Sequence, residues 1–230
     1  MKLQSLGLSW REDNEGKLER YSSRPAAERP NAFHHEERVL RWLQPNGILR
    51  RLSITGYSGI TFPEWFNGVA LPNLTEVVLI NCRRCEVLPT LGQLPFLKVL
   101  IMQGMDAVVE IDSRFYGEGG DKRLFPSLKE LTLRDFPSLR SWESIDLKEA
   151  FTCLERLSII KCPEIHDSSV LHGNLAQTRH ASVICNFNSS LIPNTMYEAK
   201  KLHTLNLLSL RDDFGIAFPT IIRVFNTSEC

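Results

Sequence analysis

The sequence predicts an α/β repeat protein in which short parallel strands stack into one sheet. Three observations predict it: one apolar pattern recurs along the chain, its copies are regularly spaced through the middle, and the segments between them are rich in Pro and Gly. A repeat this short cannot bury its own apolar face. Successive repeats must therefore stack and share a continuous core.

The recurring pattern is L-x-x-L-x-L, with other apolar residues allowed at the Leu positions. Its last two apolar residues lie two apart on a short strand and point to the same side, and the first closes the turn into that strand. The pattern is typical of leucine-rich repeats, so the predicted fold is a leucine-rich-repeat solenoid, a horseshoe segment with a parallel sheet on its concave face. The seven copies are Leu3-Leu6-Leu8, Leu49-Leu52-Ile54, Leu74-Val77-Leu79, Leu97-Leu100-Met102, Leu128-Leu131-Leu133, Leu154-Leu157-Ile159 and Leu202-Leu205-Leu207.

The spacing of the copies supports the same fold. Successive copies begin 46, 25, 23, 31, 26 and 48 residues apart, and the four middle steps lie in or near the roughly 20–29 residues of a leucine-rich repeat. The long first and last steps each contain either a degenerate repeat or a long insertion. The alternative, unrelated strands in an ordinary α/β domain, would need long helical stretches between strands, whereas segments 56–73 and 88–96 read as loops.

The residues beside the inward pair of each strand are the candidate binding site. They are predicted to face the concave side, where they mix both signs of charge with several apolar side chains. These predicted protein-binding residues are Arg51, Ser53, Thr55, Glu76, Val78, Ile80, Val99, Ile101, Gln103, Glu130, Thr132, Arg134, Arg156, Ser158 and Ile160.

Four of the five apolar residues in this set are predicted to lie side by side on two adjacent strands: Val78, Ile80, Val99 and Ile101. An exposed apolar patch ringed by charge is typical of a protein-contact site. The alternative is that the patch packs against an insertion of the same chain, at residues 11–33 or 104–124.

Composition narrows the classes of function. Lys+Arg and Asp+Glu both number 27, so the net charge is zero and nothing indicates a nucleic-acid partner. No apolar run reaches the roughly 18–20 residues of a membrane span. The N-terminal residues do not resemble a secretory signal, so we expect a cytoplasmic protein with free thiols. The sequons at Asn73, Asn188 and Asn226 would matter only in a secreted chain.

No motif in the sequence predicts catalysis. Cys82 and Cys85 form a C-x-x-C, but a zinc site needs a second ligand pair at suitable spacing, and the sequence offers none. We expect Asn81, Cys82 and Cys162 to bond backbone groups of the turns that follow their strands. The sequence therefore predicts a binding protein that is not an enzyme, with no catalytic residue, cofactor or metal site.

Two stretches between the first two copies have a different character. Residues 11–33 are polar and strongly charged, and we interpret them as an exposed insertion. Residues 34–43 predict a short helix that ends before a proline, with Val39, Leu40 and Leu43 as its buried stripe.

Several linked motifs resemble the repeat region of plant intracellular disease-resistance proteins of the nucleotide-binding, leucine-rich-repeat family. The resemblance covers roughly residues 1–165. It implies recognition in plant defence, with a pathogen effector, a guarded host protein or the nucleotide-binding domain of an immune receptor as the protein partner. The motifs are ERVLRWLQP at 37–45, LSITGYSG at 52–59, FPEW at 62–65, LINC at 79–82, CEVLPTLGQLP at 85–95, FYG at 115–117, FPSL at 125–128 and Cys162-Pro163.

Two departures from the family's pattern affect this interpretation. Residues 176–210 resemble the start of the family's repeat region, although they follow a block typical of its end. No G-x-x-x-x-G-K-[ST] motif occurs, so the family's nucleotide-driven switch does not carry over. The predicted organisation is an array over residues 1–165 with insertions at about 11–33 and 104–124, a bridge over 166–175 and a second repeat segment over 176–230.

Three other interpretations remain open from the sequence. A substrate adaptor of a ubiquitin ligase would need a ligase-binding segment, which residues 1–48 do not resemble. A receptor ectodomain would be glycosylated, for example at Asn188. A non-functional receptor gene fragment would explain why the first copy begins at Met1-Lys2-Leu3 without the polar cap that terminal repeats need.

Overall fold

The computed structural model describes residues 3–10, 31–117, 124–142, 150–162, 179–185, 204–209 and 220–225. Most of the insertion predicted at 11–33 and the bridge predicted at 166–175 lie outside these residues. The elements are β1 (Ser5–Ser9), α1 (Asn31–Leu43), β2 (Arg51–Thr55), β3 (Glu76–Ile80), β4 (Val99–Gln103), β5 (Glu110–Ile111), α2 (Ser113–Tyr116), β6 (Glu130–Arg134), β7 (Ser141–Trp142), β8 (Arg156–Ile160), β9 (His180–Cys185), β10 (Thr204–Ser209) and β11 (Thr220–Phe225).

One nine-stranded sheet organises the chain, in the order β1-β2-β3-β4-β6-β8-β9-β10-β11. Each strand from β1 to β10 in this order runs parallel to its neighbour, and β11 closes the far edge antiparallel to β10. Parallel neighbours require a connection that crosses back over the sheet, and the repeat supplies one at every step.

The predicted rungs are confirmed. The register pairs Leu52 with Val77, Val77 with Leu100, Leu100 with Leu131 and Leu131 with Leu157. Each of these side chains is at most 1% exposed. Successive repeats therefore share one interior, as the repeat pattern requires.

The strands alternate between the two faces of the sheet. In β2, β3, β4, β6 and β8 the second and fourth residues are buried, and the first, third and fifth are half-buried or exposed. This is the period of two that a strand imposes on its side chains. We call the side that carries the first, third and fifth residues the outward face.

The two long steps in the repeat have different explanations. Across the first, β1 pairs directly with β2, with Leu6 opposite Leu52, so no rung is inserted and the intervening residues include α1. Across the last, β9 forms an additional rung that pairs with β8 and β10, with Ala181 in register with Leu157. This rung is the degenerate repeat that the sequence offered as one of two alternatives for the last step. Its position was not located because Thr178 and Ala181 stand where the pattern has larger apolar residues.

Helix α1 exists as predicted and begins at Asn31, three residues before the expected start at 34. Leu40 is fully buried, but the prediction that Val39 is buried was wrong, because Val39 is 38% exposed. The helix is oriented instead by polar contacts. The Glu36 carboxylate accepts hydrogen bonds from the Ser58 backbone at 2.9 Å and its hydroxyl at 2.5 Å, and the Trp65 indole donates to the Leu40 carbonyl at 3.0 Å.

The segment predicted as an insertion at 104–124 is packed into the core over its described part. Val108, Ile111, Phe115 and Tyr116 are at most 1% exposed. Within the connections that follow β4 and β6, the short strands β5 and β7 form a two-stranded parallel ladder that pairs Ile111 with Trp142. The Asp112 side chain caps the short helix α2. Residues up to Gly117 thus belong to the repeat structure.

The residue after each of β2, β3, β4, β6 and β8 adopts a left-handed backbone conformation. Gly56, Asn81, Gly104, Asp135 and Lys161 all have φ between 55° and 71°. The amide of the first four donates to the last strand carbonyl of the next repeat at 2.7–3.0 Å. Glycine, asparagine and aspartate tolerate this conformation better than most residues. The repeated turn satisfies backbone groups at this edge of the sheet.

The cysteines after two strands complete these turns. Fully buried Cys82 donates its thiol to the Ile80 carbonyl at 3.7 Å, and Cys162 bonds the Ile160 carbonyl in the same way at 3.6 Å. Asn81 instead contributes a left-handed backbone and is only half-buried. The expected role is confirmed for the two cysteines. The expectation that Asn81 is a buried side chain in this role is wrong.

Candidate functional site

The outward face carries all fifteen residues that the sequence analysis selected. Each stands at the first, third or fifth position of β2, β3, β4, β6 or β8, and none of them is buried. The strand register arranges them in three rows. These rows are Arg51-Glu76-Val99-Glu130-Arg156, Ser53-Val78-Ile101-Thr132-Ser158 and Thr55-Ile80-Gln103-Arg134-Ile160.

Four of the five apolar residues of this face form a diagonal apolar band, which comprises Val99, Val78, Ile101 and Ile80. Val78 lies directly opposite Ile101 in the middle row. Val99 pairs with Glu76 in the first row, and Ile80 pairs with Gln103 in the third. The band therefore runs across two strands from one corner to the other. All four of its side chains are half-buried by their neighbours and remain accessible.

Ion pairs flank the band in the first row. Arg51 Nε lies 3.2 Å from Glu76 Oε2, and Arg156 Nη2 lies 2.8 Å from Glu130 Oε2. The Arg51 and Arg156 side chains are 68% and 50% exposed, so each pair contributes little to stability. Val99 stands between the two pairs, and the pairs fix the charged groups that border it.

The described part of the 104–124 segment does not cover the band. Its large apolar side chains, including Phe115 and Tyr116, belong to the core. Residues 104–117 therefore leave the band accessible. Residues 11–30, the other segment considered as a cover, lie outside the described part of the chain.

The C-x-x-C motif is built into the core. Cys82 and Cys85 are both fully buried, and the Cys85 thiol donates to the Val87 carbonyl at 3.5 Å. Burial raises the pKa of Cys82 from 9.0 to about 12, and burial likewise raises the pKa of Cys85. Because a thiol of raised pKa is a poor nucleophile and metal ligand, both cysteines act here as packing groups.

Among the residues that the structure describes, no three His, Cys, Asp or Glu side chains are grouped in a way that could hold a metal ion. Within the same residues, no helix has both the length and the apolar character needed to cross a membrane.

A further row of polar and charged residues was missed by the sequence analysis. Its members stand one position before β1, β2, β3, β4, β6, β8 and β9, and they are Gln4, Arg50, Thr75, Lys98, Lys129, Glu155 and Arg179. Each amide in this row from Arg50 onward donates to the carbonyl of the preceding member at 2.8–3.0 Å, so the ladder extends one residue beyond the sheet. The sequence signal for this row is that its members share one offset from the L-x-x-L-x-L copies. That offset can be recognised as a row only when the strands are placed side by side.

The sheet register and the repeat pattern define a leucine-rich-repeat protein. Residues 1–105 match the family model of R13L1/DRL21 leucine-rich repeats. Sequence similarity extends beyond this match over most of the chain, and it relates the protein to plant disease resistance proteins.

Three relatives illustrate that similarity. RGA4 of Solanum bulbocastanum, named as a disease resistance protein, is 31% identical over 220 residues, which cover 85% of this chain and 20% of the relative. The disease resistance protein RGA2 of the same species is 30% identical over 213 residues, covering 90% of this chain and 20% of the relative. The RPP13-like protein 1 of Arabidopsis thaliana, with a disease-resistance name, is 31% identical over 143 residues, or 59% and 14% of the two chains.

The chain thus spans about a fifth of the length of the first two relatives. No solved structure gives a significant match to it.

Proposed function

We propose that this chain is a protein-recognition module of the plant defence response and that its outward face contacts the partner. The diagonal apolar band between two ion pairs is the single observation on which the proposal depends. An accessible apolar centre with a polar border is the usual composition of a protein interface. The disease-resistance names of the relatives supply the biological setting.

The mechanism we propose is noncovalent recognition by surface complementarity, without an enzymatic step or a cofactor. The partner is a pathogen effector, a guarded host protein or the nucleotide-binding domain of an immune receptor, and the encounter takes place in the cytoplasm. In this proposal the array curves as a horseshoe, with the outward face on its concave side. Such a surface would wrap a partner with side chains from several repeats.

Charge substitution in the band tests the proposal. In Val78→Glu/Ile101→Glu, two adjacent carboxylates replace the centre of the apolar band, and an unpaired charge buried at an interface disrupts binding. We expect proximity labelling in plant cells to lose the partners that the unsubstituted chain labels. Circular dichroism should remain unchanged because both positions are accessible.

A matched control uses two accessible valines away from the outward face. Val69 is 85% exposed and Val109 is 48% exposed, so Val69→Glu/Val109→Glu adds the same charge elsewhere. The control should label the same partners as the unsubstituted chain. Equal loss of labelling in both variants, or no loss in either, would contradict the proposed role of the band.

A further inference from the structure

We propose that the cleft at the N-terminal edge of strands β1 to β4 binds an acidic segment of a partner protein. This edge cleft lies beside the first row of the outward face, so the inference deepens the proposed function and depends on it for its biological setting. Two acidic side chains on the same face of an extended segment would meet Arg50 and Lys98.

The edge cleft has a volume of about 420 Å³. Three of its lining residues are basic, namely Arg50, Arg51 and Lys98, and Glu76 is the one acidic residue among them. Arg51 is already paired with Glu76 at 3.2 Å. The remaining positive charge of the cleft therefore belongs to Arg50 and Lys98.

The side chains of Arg50 and Lys98 are both exposed. Among the described residues, no acidic side chain forms an ion pair with Arg50 or with Lys98. Both belong to the pre-strand ladder, in which the Thr75 amide donates to the Arg50 carbonyl at 2.8 Å and the Lys98 amide donates to the Thr75 carbonyl at 2.9 Å. The backbone thus holds the two residues at a fixed separation along this edge.

The separation suits an extended peptide. Arg50 and Lys98 precede β2 and β4, two strands apart, and neighbouring strands lie about 4.8 Å apart, so their backbones are about 10 Å apart. Side chains on one face of an extended chain recur about every 6.6–6.8 Å, and the long side chains of Arg50 and Lys98 span the remaining difference. Val99 lines the same cleft and offers an apolar contact beside Lys98.

The opposite edge of the sheet lacks the excess positive charge that the edge cleft carries. A cleft of about 490 Å³ there is lined by Arg83, Asp106, Asp135 and Lys161. Arg83 pairs with Asp106 at 3.0 Å, and Lys161 with Asp135 at 3.6 Å. Its charges are balanced, so it offers a matched control.

A protein partner fits this edge better than a nucleic acid. Acidic residues interrupt the edge at Glu76, Glu130 and Glu155, and the Lys129 hydrogen bond holds the pKa of Glu155 below its usual value. A phosphate backbone would meet these fixed negative charges, whereas single acidic side chains can reach the separate cations. Binding to a nucleic acid is therefore an outcome that the test must distinguish.

The test measures fluorescence anisotropy of a labelled hexaglutamate peptide with the full chain. We expect binding that weakens as ionic strength rises from about 0.01 M to about 0.15 M, because the Debye length falls from about 30 Å to about 8 Å. Arg50→Gln/Lys98→Gln should weaken binding about tenfold. Arg83→Gln/Lys161→Gln, which removes the same charge from the opposite edge, should leave the affinity within about twofold.

Three results would overturn the edge-cleft proposal: no peptide binding at low ionic strength, equal loss in the two double variants, or equally tight binding of oligothymidylate through Arg50 and Lys98. The variant Val78→Ala/Ile101→Ala distinguishes failure of the edge-cleft proposal from failure of the proposed function. It preserves all charges, so it should retain hexaglutamate affinity while losing partner labelling. Retained labelling with retained peptide binding would reject the role of the band and leave the edge cleft standing.

Discussion

The indole of Trp142 donates a hydrogen bond to the hydroxyl of Tyr116 at 2.6 Å inside the core. The two residues are 26 positions apart, and both are at most 2% exposed. Trp142 belongs to β7 and Tyr116 to α2, so this contact ties two loop connections together behind the sheet. A buried donor of this kind needs its acceptor, because water cannot replace it.

Removing that acceptor should destabilise the fold. We expect Tyr116→Phe to lower the free energy of unfolding by about 1–3 kcal/mol, because the Trp142 indole would be buried without a partner. Urea unfolding followed by circular dichroism measures the change. In a double-mutant cycle with Trp142→Phe, the second substitution should cost less in the Tyr116→Phe background, and strictly additive losses would show that the hydrogen bond contributes nothing.

Truncating a central rung should cost more. Leu131 is 1% exposed and is in register with Leu100 and Leu157, so Leu131→Ala should lower the unfolding free energy by about 2–5 kcal/mol through lost burial and a cavity. Leu3→Ala is the control, because Leu3 is 58% exposed and its truncation should stay within about 0.5 kcal/mol. Equal losses at both positions would contradict the shared interior.

The left-handed turn after β4 requires a glycine. Gly104 has a φ of +68°, and a Cβ there would lie 2.5 Å from Asn81 Oδ1, so Gly104→Ala should destabilise the chain by more than about 1 kcal/mol. A Cβ at Gly7 in β1 would meet nothing within 4 Å, so Gly7→Ala should be neutral or slightly stabilising. Thermal unfolding of the two variants compares them directly, and a tolerated Gly104→Ala would argue against the turn geometry.

Alkaline pH should destabilise the fold through its buried thiols. Burial raises the pKa of Cys82 from 9.0 to about 12, so between these values the unfolded chain loses a proton that the folded chain keeps. The unfolded state then binds fewer protons, and stability must fall as pH rises through this window, by up to about 1.4 kcal/mol per pH unit for each such thiol. Below pH 9 this group should cause no change.

Urea titrations between pH 8 and about pH 11 measure that dependence. Cys82→Ala removes one of the buried thiols, so its stability should decline less steeply with pH than that of the unsubstituted chain. Cys153 is exposed, and Cys153→Ala should leave the slope unaltered. Parallel slopes for the Cys82→Ala variant and the unsubstituted chain would mean that ionisation of Cys82 is not coupled to unfolding.

Some expectations failed for identifiable physical reasons. The helical period placed Val39 and Leu40 on one stripe, but the orientation of α1 follows from the contacts of its Glu36 with Ser58 and of its Leu40 carbonyl with Trp65. The rung at β9 was missed because a strand within a ladder is specified partly by its neighbours, and Ala181 satisfies the register without matching the pattern.

The membership of the candidate site was predictable, as was the adjacency of Val78 and Ile101, but the rest of its layout was not. Side-chain direction alternates with every residue of a strand, so the pattern around Leu100 was enough to assign Val99 and Ile101 to the outward face. Which outward residues are neighbours depends on the register between strands from different repeats. The grouping of Arg50 with Lys98 could not be predicted, because 48 residues separate them in the chain.

The sequence by itself determined the repeat, the inward rungs and the set of residues left on the outward face, because these properties follow from the local period of a strand. Only the tertiary structure decided that β1 stacks directly on β2, and that Arg50 and Lys98, which have no acidic ion-pair partner among the described residues, share one cleft. Those relationships arise when distant repeats stack to bury a common core, since that burial sets the register of every strand against the next.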